Sequence, residues 1–389
     1  MSLLQRVQSK LYQTARHRLL GNLGVVAGSR AASFSTPPFR SLSVSSTANP
    51  TRGTSITTSS SSTKNKNKNG EKPTVHYLDL QASELSAIER LCLEEALLRH
   101  DPLQRSWAIV GTHHPSRNMH LNLDLEQLTT SSSNGHNEDC VIIMGIGGKP
   151  ERLLHMPKVR EDGVLTIKRF SGGGTVVVDE SSLWTTFIGR NEHFGHYVDP
   201  FPRNIMKWSA EDVFHDVFDR MRIDALHHER RDQDADDNTE LGGSEINIFP
   251  EFSLRENDYV LGAQKMGGNA QTITGQGWLH HTSFLWDYNA ENMGYLSLPE
   301  KRPDYRGDRD HGDFLVKLKS VFGDTSATCV GVDESSAKRA FFYHVKCACQ
   351  DSFELKEATV KDAIKIVDDE LGGMQAWFDG KCRTKIIKV

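Results

Sequence analysis

The sequence predicts an α+β domain, layered in the α/β manner, in which helices flank a mixed β-sheet. Short apolar runs such as Trp107–Val110 and Val141–Met144 are typical of buried strands. Apolar residues recur at helical spacing in residues 83–99 and 209–223, which indicates amphipathic helices. Strands and helices mixed along one chain favour a layered domain.

The first 70 residues differ in composition from everything that follows. They contain ten Lys and Arg residues, many Ser and Thr residues, and no Asp or Glu. Acid-free, Arg-rich and Ser-rich leaders are typical of organelle transit peptides. The apolar stretch at residues 19–27 is broken by glycines and is far shorter than the ~20 residues of a membrane span. We therefore expect a transit peptide and disordered linker over residues 1–70 and a mitochondrial matrix protein, with a plastid as the alternative.

The remaining residues, 71–389, are long enough for one large domain or for a domain with a small appendage. The whole chain has a net charge of −5, and because the leader is basic, residues 71–389 are clearly acidic. This charge does not favour nucleic-acid binding. The six cysteines lack Cys-x-x-Cys or other regular spacing, which indicates unpaired thiols in a reducing compartment.

Further elements follow from the same patterns. Strands are predicted at residues 164–167, 175–178, 183–189, 245–249, 258–261, 269–274, 278–286 and 341–347. Helices are predicted at residues 313–322 and 356–371, and Ser83 is the expected N-cap of the helix at 83–99. Residues 125–139 form an exposed loop in this interpretation. Residues 227–238 are rich in His and Asp but lack metal-ligand spacing, so we expect a solvated insertion.

The most informative segment runs from Arg169 to Asp179 and contains three consecutive glycines, Gly172, Gly173 and Gly174, between two predicted strands. Glycine lets backbone N–H groups approach a bound group closely, and successive amides can converge on an anion. The segment lacks the Gly-Lys-Ser/Thr of a Walker A loop, and no helix follows it as in a dinucleotide-binding fold. Alone, it fits a tight hairpin as well as an anion loop.

Three later blocks add to the glycine segment. Asn257 and Asp258 precede Lys265-Met-Gly-Gly-Asn-Ala-Gln271, and Gly277-Trp-Leu-His-His-Thr-Ser-Phe-Leu285 follows after a short spacer. Together, the four blocks resemble the Arg-x-Ser-Gly-Gly-Gly, Asn-Asp, Lys-x-x-Gly-x-Ala and His-containing strand of the lipoate–protein ligase A family, within the biotin/lipoate ligase superfamily. Order and spacing match over roughly residues 78–322, as in a eukaryotic organellar member.

The resemblance implies a class II synthetase-like catalytic domain over residues 71–389, with little or no accessory domain in the last ~65 residues. It implies the cofactors ATP and Mg²⁺ and the substrate lipoate, joined as lipoyl-AMP. The acyl group would pass to a lysine of lipoyl domains in 2-oxoacid dehydrogenase acyltransferases or of the glycine-cleavage H protein. A monomer without nucleic-acid or membrane partners is expected.

The resemblance also implies roles for individual residues. Lys265 would be catalytic, because one ammonium can bridge the substrate carboxylate and the α-phosphate. Asp258 would also hold Mg²⁺, which prefers oxygen ligands. The residues implied to bind substrate or adenylate are Arg169, Ser171, Gly172, Gly173, Gly174, Asp179, Asn257, Asp258, Gly268, Ala270 and His281. The chain departs from the bacterial pattern in having Val178 in place of a His and Ile146 in place of an Arg.

Alternatives remain open at this point. An octanoyltransferase working through a thioester needs a nucleophilic cysteine, yet no cysteine lies between Cys140 and Cys329. A non-catalytic ligase-like binding protein is a further class, whereas a biotin ligase lacks support because its Gly-Arg-Gly-Arg loop is missing. Whether the chain adenylates lipoate itself, needs a partner or accepts preformed lipoyl-AMP is not decided by the sequence, nor is the preference between lipoate and octanoate.

Overall fold

A nine-stranded mixed sheet and a four-stranded sheet form the framework of the computed structural model, which describes residues 72–115, 120–123, 137–235, 249–297, 303–323 and 334–389. The strands are β1 Thr74–Asp79, β2 Trp107–Gly111, β3 Cys140–Met144, β4 Leu165–Lys168, β5 Gly172–Gly173, β6 Val176–Asp179, β7 Leu183–Arg190, β8 Phe252–Arg255, β9 Asp258–Leu261, β10 Gln264–Ile273, β11 Gly277–Phe284, β12 Glu354–Ala358 and β13 Lys385–Ile386. The mixed sheets with flanking helices confirm the predicted fold class.

The helices lie outside these sheets and mostly between strands. They are α1 Ala87–His100, α2 Pro150–Leu153, α3 Met156–Glu161, α4 Asn191–Phe194, α5 Pro202–Ser209, α6 His215–Ala235, α7 His311–Phe314, α8 Leu318–Phe322, α9 Glu334–Ser352, α10 Val360–Leu371 and α11 Met374–Asp379. A π-helical segment, Ala210–Phe214, joins α5 to α6, and two 3₁₀ segments span Ala290–Tyr295 and Asp304–Arg306. None of the described helices is long and apolar enough to cross a membrane.

The large sheet has the order β12-β1-β2-β7-β11-β10-β9-β8, and β5 pairs with β10 beside this path. Strand β1 is parallel to both of its neighbours, whereas the pairs from β2 to β8 are antiparallel. The small sheet has the order β13-β4-β3-β6. The glycine segment therefore lies where the chain passes from β4 in the small sheet, through β5 beside the large sheet, to β6.

The two larger of three apolar cores hold the layers together. One contains apolar residues of α5, α6 and α9 packed on the large sheet, with Trp278 and Phe284 of β11 fully buried in it. The other lies between α1, α10 and the two sheets and includes Leu91, Ile143 and Trp184. Because both faces of the central strands are covered, β7 is buried along its whole length.

The predicted strand at residues 341–347 is wrong, because the structure has helix α9 there. The apolar residues Phe341, Phe342 and Val345 recur at helical spacing, and each is buried. The short apolar cluster in the middle of the helix imitates a buried strand when read alone. Cys347 and Cys349 consequently do not share a face: Cys349 is buried and Cys347 is only partly covered.

Several boundaries also differ. The predicted helix at 356–371 begins as edge strand β12, and α10 starts only after Thr359, which forms a capping box with Asp362. Helix α1 starts after Ser86 rather than Ser83, again with a capping box. The helix predicted at 209–223 begins at Pro202 and runs, through the π segment, to Ala235. The strand predicted at 269–274 begins at Gln264, and the helix at 313–322 is split in two.

Some predictions lie outside the described residues. They concern residues 1–70, most of the exposed loop at 125–139, the insertion beyond Ala235, most of the strand at 245–249, and Cys329. The five cysteines that the structure describes are free thiols. The C-terminal residues contribute one strand to each sheet, β12 beside β1 and β13 beside β4.

Gly189 provides a test of the packing of the central sheet. A Cβ at this position on β7 would lie 2.3 Å from Cζ2 of Trp278, so Gly189→Ala must displace a buried ring. We expect a loss of about 1–3 kcal/mol in the free energy of unfolding, measured by urea denaturation. Gly275→Ala is the control, because its Cβ would meet no heavy atom within 4 Å. Equal effects of both substitutions would contradict the described packing.

Candidate functional site

A cavity of about 460 Å³ lies between the glycine segment, the start of β9 and the middle of β10. Its volume is in the range of small-molecule sites in proteins. The lining residues are Leu91, Ile143, Arg169, Gly172, Gly173, Gly174, Thr175, Val176, Trp184, Pro202, Met206, Asn257, Asp258, Lys265, Gly268, Asn269, Ala270, Gln271, His281, Thr282 and Ser283. Nine of the eleven residues assigned to binding from the sequence, and Lys265, are among them.

The glycine segment forms one wall of the cavity by pairing with β10. Gly172 and Gly173 lie antiparallel to Gln271 and Ala270. Gly173 has a φ of +123°, and a Cβ there would lie 2.8 Å from the Asn269 carbonyl oxygen. A Cβ at Gly174 would instead meet no heavy atom within 4 Å. A side chain at position 173 would therefore clash with β10, whereas a side chain at position 174 would point into open space.

Arg169 holds the glycine segment in shape. Its buried guanidinium donates hydrogen bonds to the carbonyl oxygens of Ile143 (3.2 Å), Gly172 (3.3 Å) and Gly174 (2.8 Å), and to Ser171 Oγ (3.1 Å). Burial lowers the pKa of this guanidinium to about 10. Ser171 is buried beneath the loop and does not line the cavity. The structure therefore shows Arg169 and Ser171 supporting the loop from behind.

Lys265 lies at the β9 end of the cavity. Its Nζ is 2.7 Å from Oδ1 of Asp258, and the Asp258 side chain is almost completely buried. The pairing of β10 with β9 shifts register between Lys265 and Gly267, which is a β-bulge. A bulge changes the direction of the side chains on its strand. The neighbouring Asn257 accepts a hydrogen bond at its carbonyl oxygen from Asn269 Nδ2 (2.9 Å).

His281 lies at the opposite end of the cavity. It faces Ala270 in the pairing of β11 with β10, and Ala270 is five residues, roughly 16 Å between Cα positions, from Lys265 along the strand. Its Nδ1 is 2.9 Å from Oε2 of Glu94, and its Nε2 is buried without a hydrogen-bond partner among the residues that the structure describes. Burial lowers the pKa of His281, and the charge of Glu94 opposes this shift. His281 and Lys265 thus contribute to different parts of the cavity wall.

A buried ion pair supports His281 from helix α1. Arg90 Nε donates to Glu94 Oε1 at 2.9 Å, and neither side chain is exposed to solvent. Burial would raise the pKa of Glu94, but the charges of Arg90 and His281 outweigh it and lower this pKa to about 2. Sequence analysis missed both residues. Oppositely charged residues four apart, on a helix rich in apolar residues, were the signal that could have found them.

His280 and His281 point to opposite faces of β11. His280 lies in the core, where its Nε2 is 3.1 Å from Ser209 Oγ and 3.0 Å from the Tyr259 hydroxyl. Burial lowers the pKa of His280 to about 3. Of the two histidines, only His281 reaches the cavity.

Asp179 does not line the cavity, contrary to the expectation of a binding role. Its carboxylate accepts hydrogen bonds from the backbone N–H (3.0 Å) and hydroxyl (2.6 Å) of Ser181, in the turn between β6 and β7. An Asp that bonds the backbone two residues on is a common turn device. The structure thus places Asp179 in a turn outside the set of cavity residues.

Residues 135–326 match the lipoyl protein ligase A/B catalytic domain. This range contains every residue that lines the cavity except Leu91 of α1. The chain belongs to the lipoyl protein ligase A/B family. A relative from Plasmodium falciparum (isolate 3D7), named inactive lipoate–protein ligase 2, is 27% identical over 283 residues, 67% of each chain. The four sequence blocks thus identified the family correctly.

Solved structures of related ligases resemble the chain at low identity. A lipoate-protein ligase A bound with ATP is 14% identical, covers 77% of this chain and 93% of its own, and gives a TM-score of 0.45. P. falciparum LipL1 in complex with lipoate is also 14% identical, covers 78% of this chain and 70% of its own, and gives a TM-score of 0.44.

The cavity of this ligase-family chain offers little to a metal ion by itself. Asp258 is the only carboxylate among the lining residues that the structure describes, and the same part of the chain holds no group of three His, Cys, Asp or Glu suited to a metal. Both Asp258 oxygens are engaged, by Lys265 and by the Tyr305 hydroxyl. These residues therefore do not fit a Mg²⁺ site whose ligands all come from the protein. A Mg²⁺ ion bound mainly by nucleotide phosphates and water would need only one protein carboxylate, and Asp258 could supply it.

Substitutions at two adjacent glycines should separate folding from binding. We expect Gly173→Ala to lower the free energy of unfolding by about 1–3 kcal/mol, because of its φ and its contact with β10. Gly174→Val should leave stability within about 0.5 kcal/mol of the unmodified protein and weaken binding of a non-hydrolysable lipoyl-adenylate analogue at least tenfold. Calorimetry and urea denaturation measure both. Unchanged affinity in Gly174→Val would remove this position from the site.

Glu94→Gln tests the buried ion pair. The substitution leaves Arg90 buried without its charged partner, so we expect a loss of roughly 3 kcal/mol at pH 7. The folded-state pKa of about 2 lies below that of an unfolded Glu, so the contribution is present above about pH 4.3 and disappears as the pH falls toward 2. Urea denaturation from pH 7 to pH 3 measures this. If the difference in unfolding free energy between Glu94→Gln and the unmodified protein did not change with pH, the low pKa assigned to Glu94 would be wrong. Glu357→Gln, in an exposed pair with Lys346, is the control.

Proposed function

We propose that the chain is a lipoate–protein ligase or lipoyltransferase, which forms or uses lipoyl-AMP and transfers the lipoyl group to a lysine of an acceptor protein. The observation that supports this most strongly is the shared cavity, which is lined by both the glycine segment and Lys265. Each supplies what an acyl adenylate needs: backbone amides and a cation near two anions.

The chemistry follows from the charges. Attack of the lipoate carboxylate oxygen on the α-phosphorus of ATP forms the acyl–phosphate bond and releases pyrophosphate. The acceptor amine then attacks the acyl carbon, AMP leaves, and the amine loses a proton as the amide forms. Lys265 can bind the carboxylate and phosphate oxygens during both steps, because its ammonium is a compact charge on a flexible stem. When bound, Mg²⁺ would neutralise charge on the nucleotide phosphates.

The apolar residues give the substrate a direction. If the carboxyl end lies at Lys265, the acyl tail extends toward the part of the cavity that Leu91, Trp184 and His281 line. Leu91 and Trp184 belong to the apolar core between α1 and the sheets. We propose lipoate as the acyl group, ATP and Mg²⁺ as cofactors, and binding of the acyl group and adenylate by Gly172–Gly174, Asn257, Gly268, Ala270 and His281.

The acceptors we propose are the lipoyl domains of 2-oxoacid dehydrogenase acyltransferases and the glycine-cleavage H protein. The basic, acid-free first 70 residues favour the mitochondrial matrix as the place of this reaction, with a plastid as the alternative. An organellar leader would bring the chain to the compartment in which we propose that these acceptors are modified.

Two other functions are the alternatives to this proposal. A binding protein without ligase activity is favoured by the name of the P. falciparum relative and by the Asp258 carboxylate, which neutralises Lys265 in this structure. Octanoyl transfer through a thioester has less support, because none of the five described cysteines lines the cavity.

An acylation assay distinguishes these functions. Residues 71–389 are incubated with a purified lipoyl domain and one of three donors: lipoate with Mg-ATP, synthetic lipoyl-AMP, or octanoyl-acyl carrier protein. The mass of the acceptor reports transfer. Lipoate with ATP as an effective donor identifies a complete ligase, and lipoyl-AMP alone identifies a transferase. Transfer only from the carrier protein, or none with any donor, would contradict the proposal.

Lys265→Ala provides the corresponding mutational prediction. We expect transfer from lipoyl-AMP to fall at least 100-fold, because the cation near the reacting anions is lost, while the melting temperature changes little. Lys158→Ala is the matched control: Lys158 Nζ also lies 2.7 Å from an aspartate, Asp162, but outside the cavity. If Lys265→Ala retained most of the activity, Lys265 would not be the catalytic residue.

A further inference from the structure

The Asp258 carboxylate has a second partner besides Lys265. The Tyr305 hydroxyl donates a hydrogen bond to Asp258 Oδ2 at 2.9 Å, while Oδ1 lies 2.7 Å from Lys265 Nζ. Tyr305 belongs to the 3₁₀ segment Asp304–Arg306, which follows β11 in sequence, and it does not line the cavity. Its hydrogen bond to Asp258 connects it directly to a residue that lines the cavity.

Tyr305 is fixed on several sides. The Arg255 guanidinium lies 4.7 Å above its ring, and its backbone N–H donates to Glu256 Oε1 at 3.3 Å. The ring of Phe314 packs 5.3 Å from it, centroid to centroid. Because the ring is held by these contacts, its hydroxyl marks a fixed point at the edge of the cavity.

This fixed point limits the motion of the Lys265–Asp258 pair. Lys265 has a flexible stem and its side chain is 25% exposed, so its ammonium needs an anchor to remain at one end of the cavity. A carboxylate with only one partner can turn about its own bonds, whereas Asp258 is held at both oxygens. We infer that Tyr305 is a positioning residue, which orients Asp258 and thereby places Lys265 for its reaction. This inference rests on the proposed function of Lys265.

The chain contains a matched arrangement away from the cavity. Asp162 is bridged in the same way, by Lys158 Nζ at 2.7 Å and by the Tyr295 hydroxyl at 2.8 Å. None of these three residues lines the cavity. Tyr295→Phe therefore removes the same kind of hydrogen bond without touching the proposed site.

The experiment compares Tyr305→Phe with Tyr295→Phe in the lipoyl-domain assay, with whichever lipoyl donor the unmodified protein uses. We expect Tyr305→Phe to lower kcat about tenfold with a change in KM for the donor below about twofold, because positioning affects the reacting geometry more than donor binding. Tyr295→Phe should change neither quantity. Equal kinetics for the two variants, or a change confined to KM, would overturn the inference.

A double-mutant cycle shows whether Tyr305 acts through Asp258. In the Asp258→Asn background, Tyr305→Phe should have less than a twofold further effect on kcat, since the group it orients is already changed. An undiminished tenfold effect in that background would overturn the inference.

A failure of the proposed function itself is recognised separately. If the unmodified protein transfers from neither lipoyl donor, the proposed function fails, and crystal structures of the two variants test the role of Tyr305 instead. Tyr305→Phe should then separate Lys265 Nζ from Asp258 Oδ1, and Tyr295→Phe should leave this contact at about 2.7 Å. An unchanged contact in Tyr305→Phe would overturn the role of Tyr305 as well.

Discussion

The pairing of Gly172 and Gly173 with β10 is the contact on which the rest of the site depends. It fixes the glycine segment against the strand that carries Lys265, Gly268 and Ala270, so that both walls of the cavity belong to one sheet. Arg169 completes the arrangement by binding three carbonyl oxygens on and around the segment. Backbone amides arranged before a ligand binds need no reorganisation when charge develops on it.

Charge is distributed unevenly along this cavity. At one end, Lys265 and Asp258 form an ion pair. The Asp258 carboxylate neutralises the ammonium of Lys265, so a bound anion would compete with Asp258 for this charge. In another part of the wall, the buried Arg90–Glu94 pair holds His281. Buried ion pairs often contribute little net stability, which makes positioning of His281 the better explanation for this one.

The sequence predicted the layered fold and most of the cavity wall because these depend on local patterns. Consecutive glycines between two strands, and a lysine before Gly267 and Gly268, are recognisable without coordinates. Contacts between distant segments were not predictable in this way: Glu94 meets His281, and Tyr305 meets Asp258, through tertiary packing alone. Residues 341–347 were misassigned because a short apolar cluster fits both a strand and one face of a helix. Asp179 was misplaced because an Asp in a turn and an Asp at a ligand look alike in sequence.

Hydrogen exchange measured with a non-hydrolysable lipoyl-adenylate analogue tests the central claim most directly. If one ligand occupies the cavity that the glycine segment and β10 both line, amide exchange should slow at Gly172–Gly174 and at residues 265–271 together when the analogue binds. Exchange at the Asp162–Tyr295 contact, outside the cavity, should not change. Protection at only one of the two walls, or protection elsewhere in the chain, would contradict the assignment of this cavity as the acyl-adenylate site.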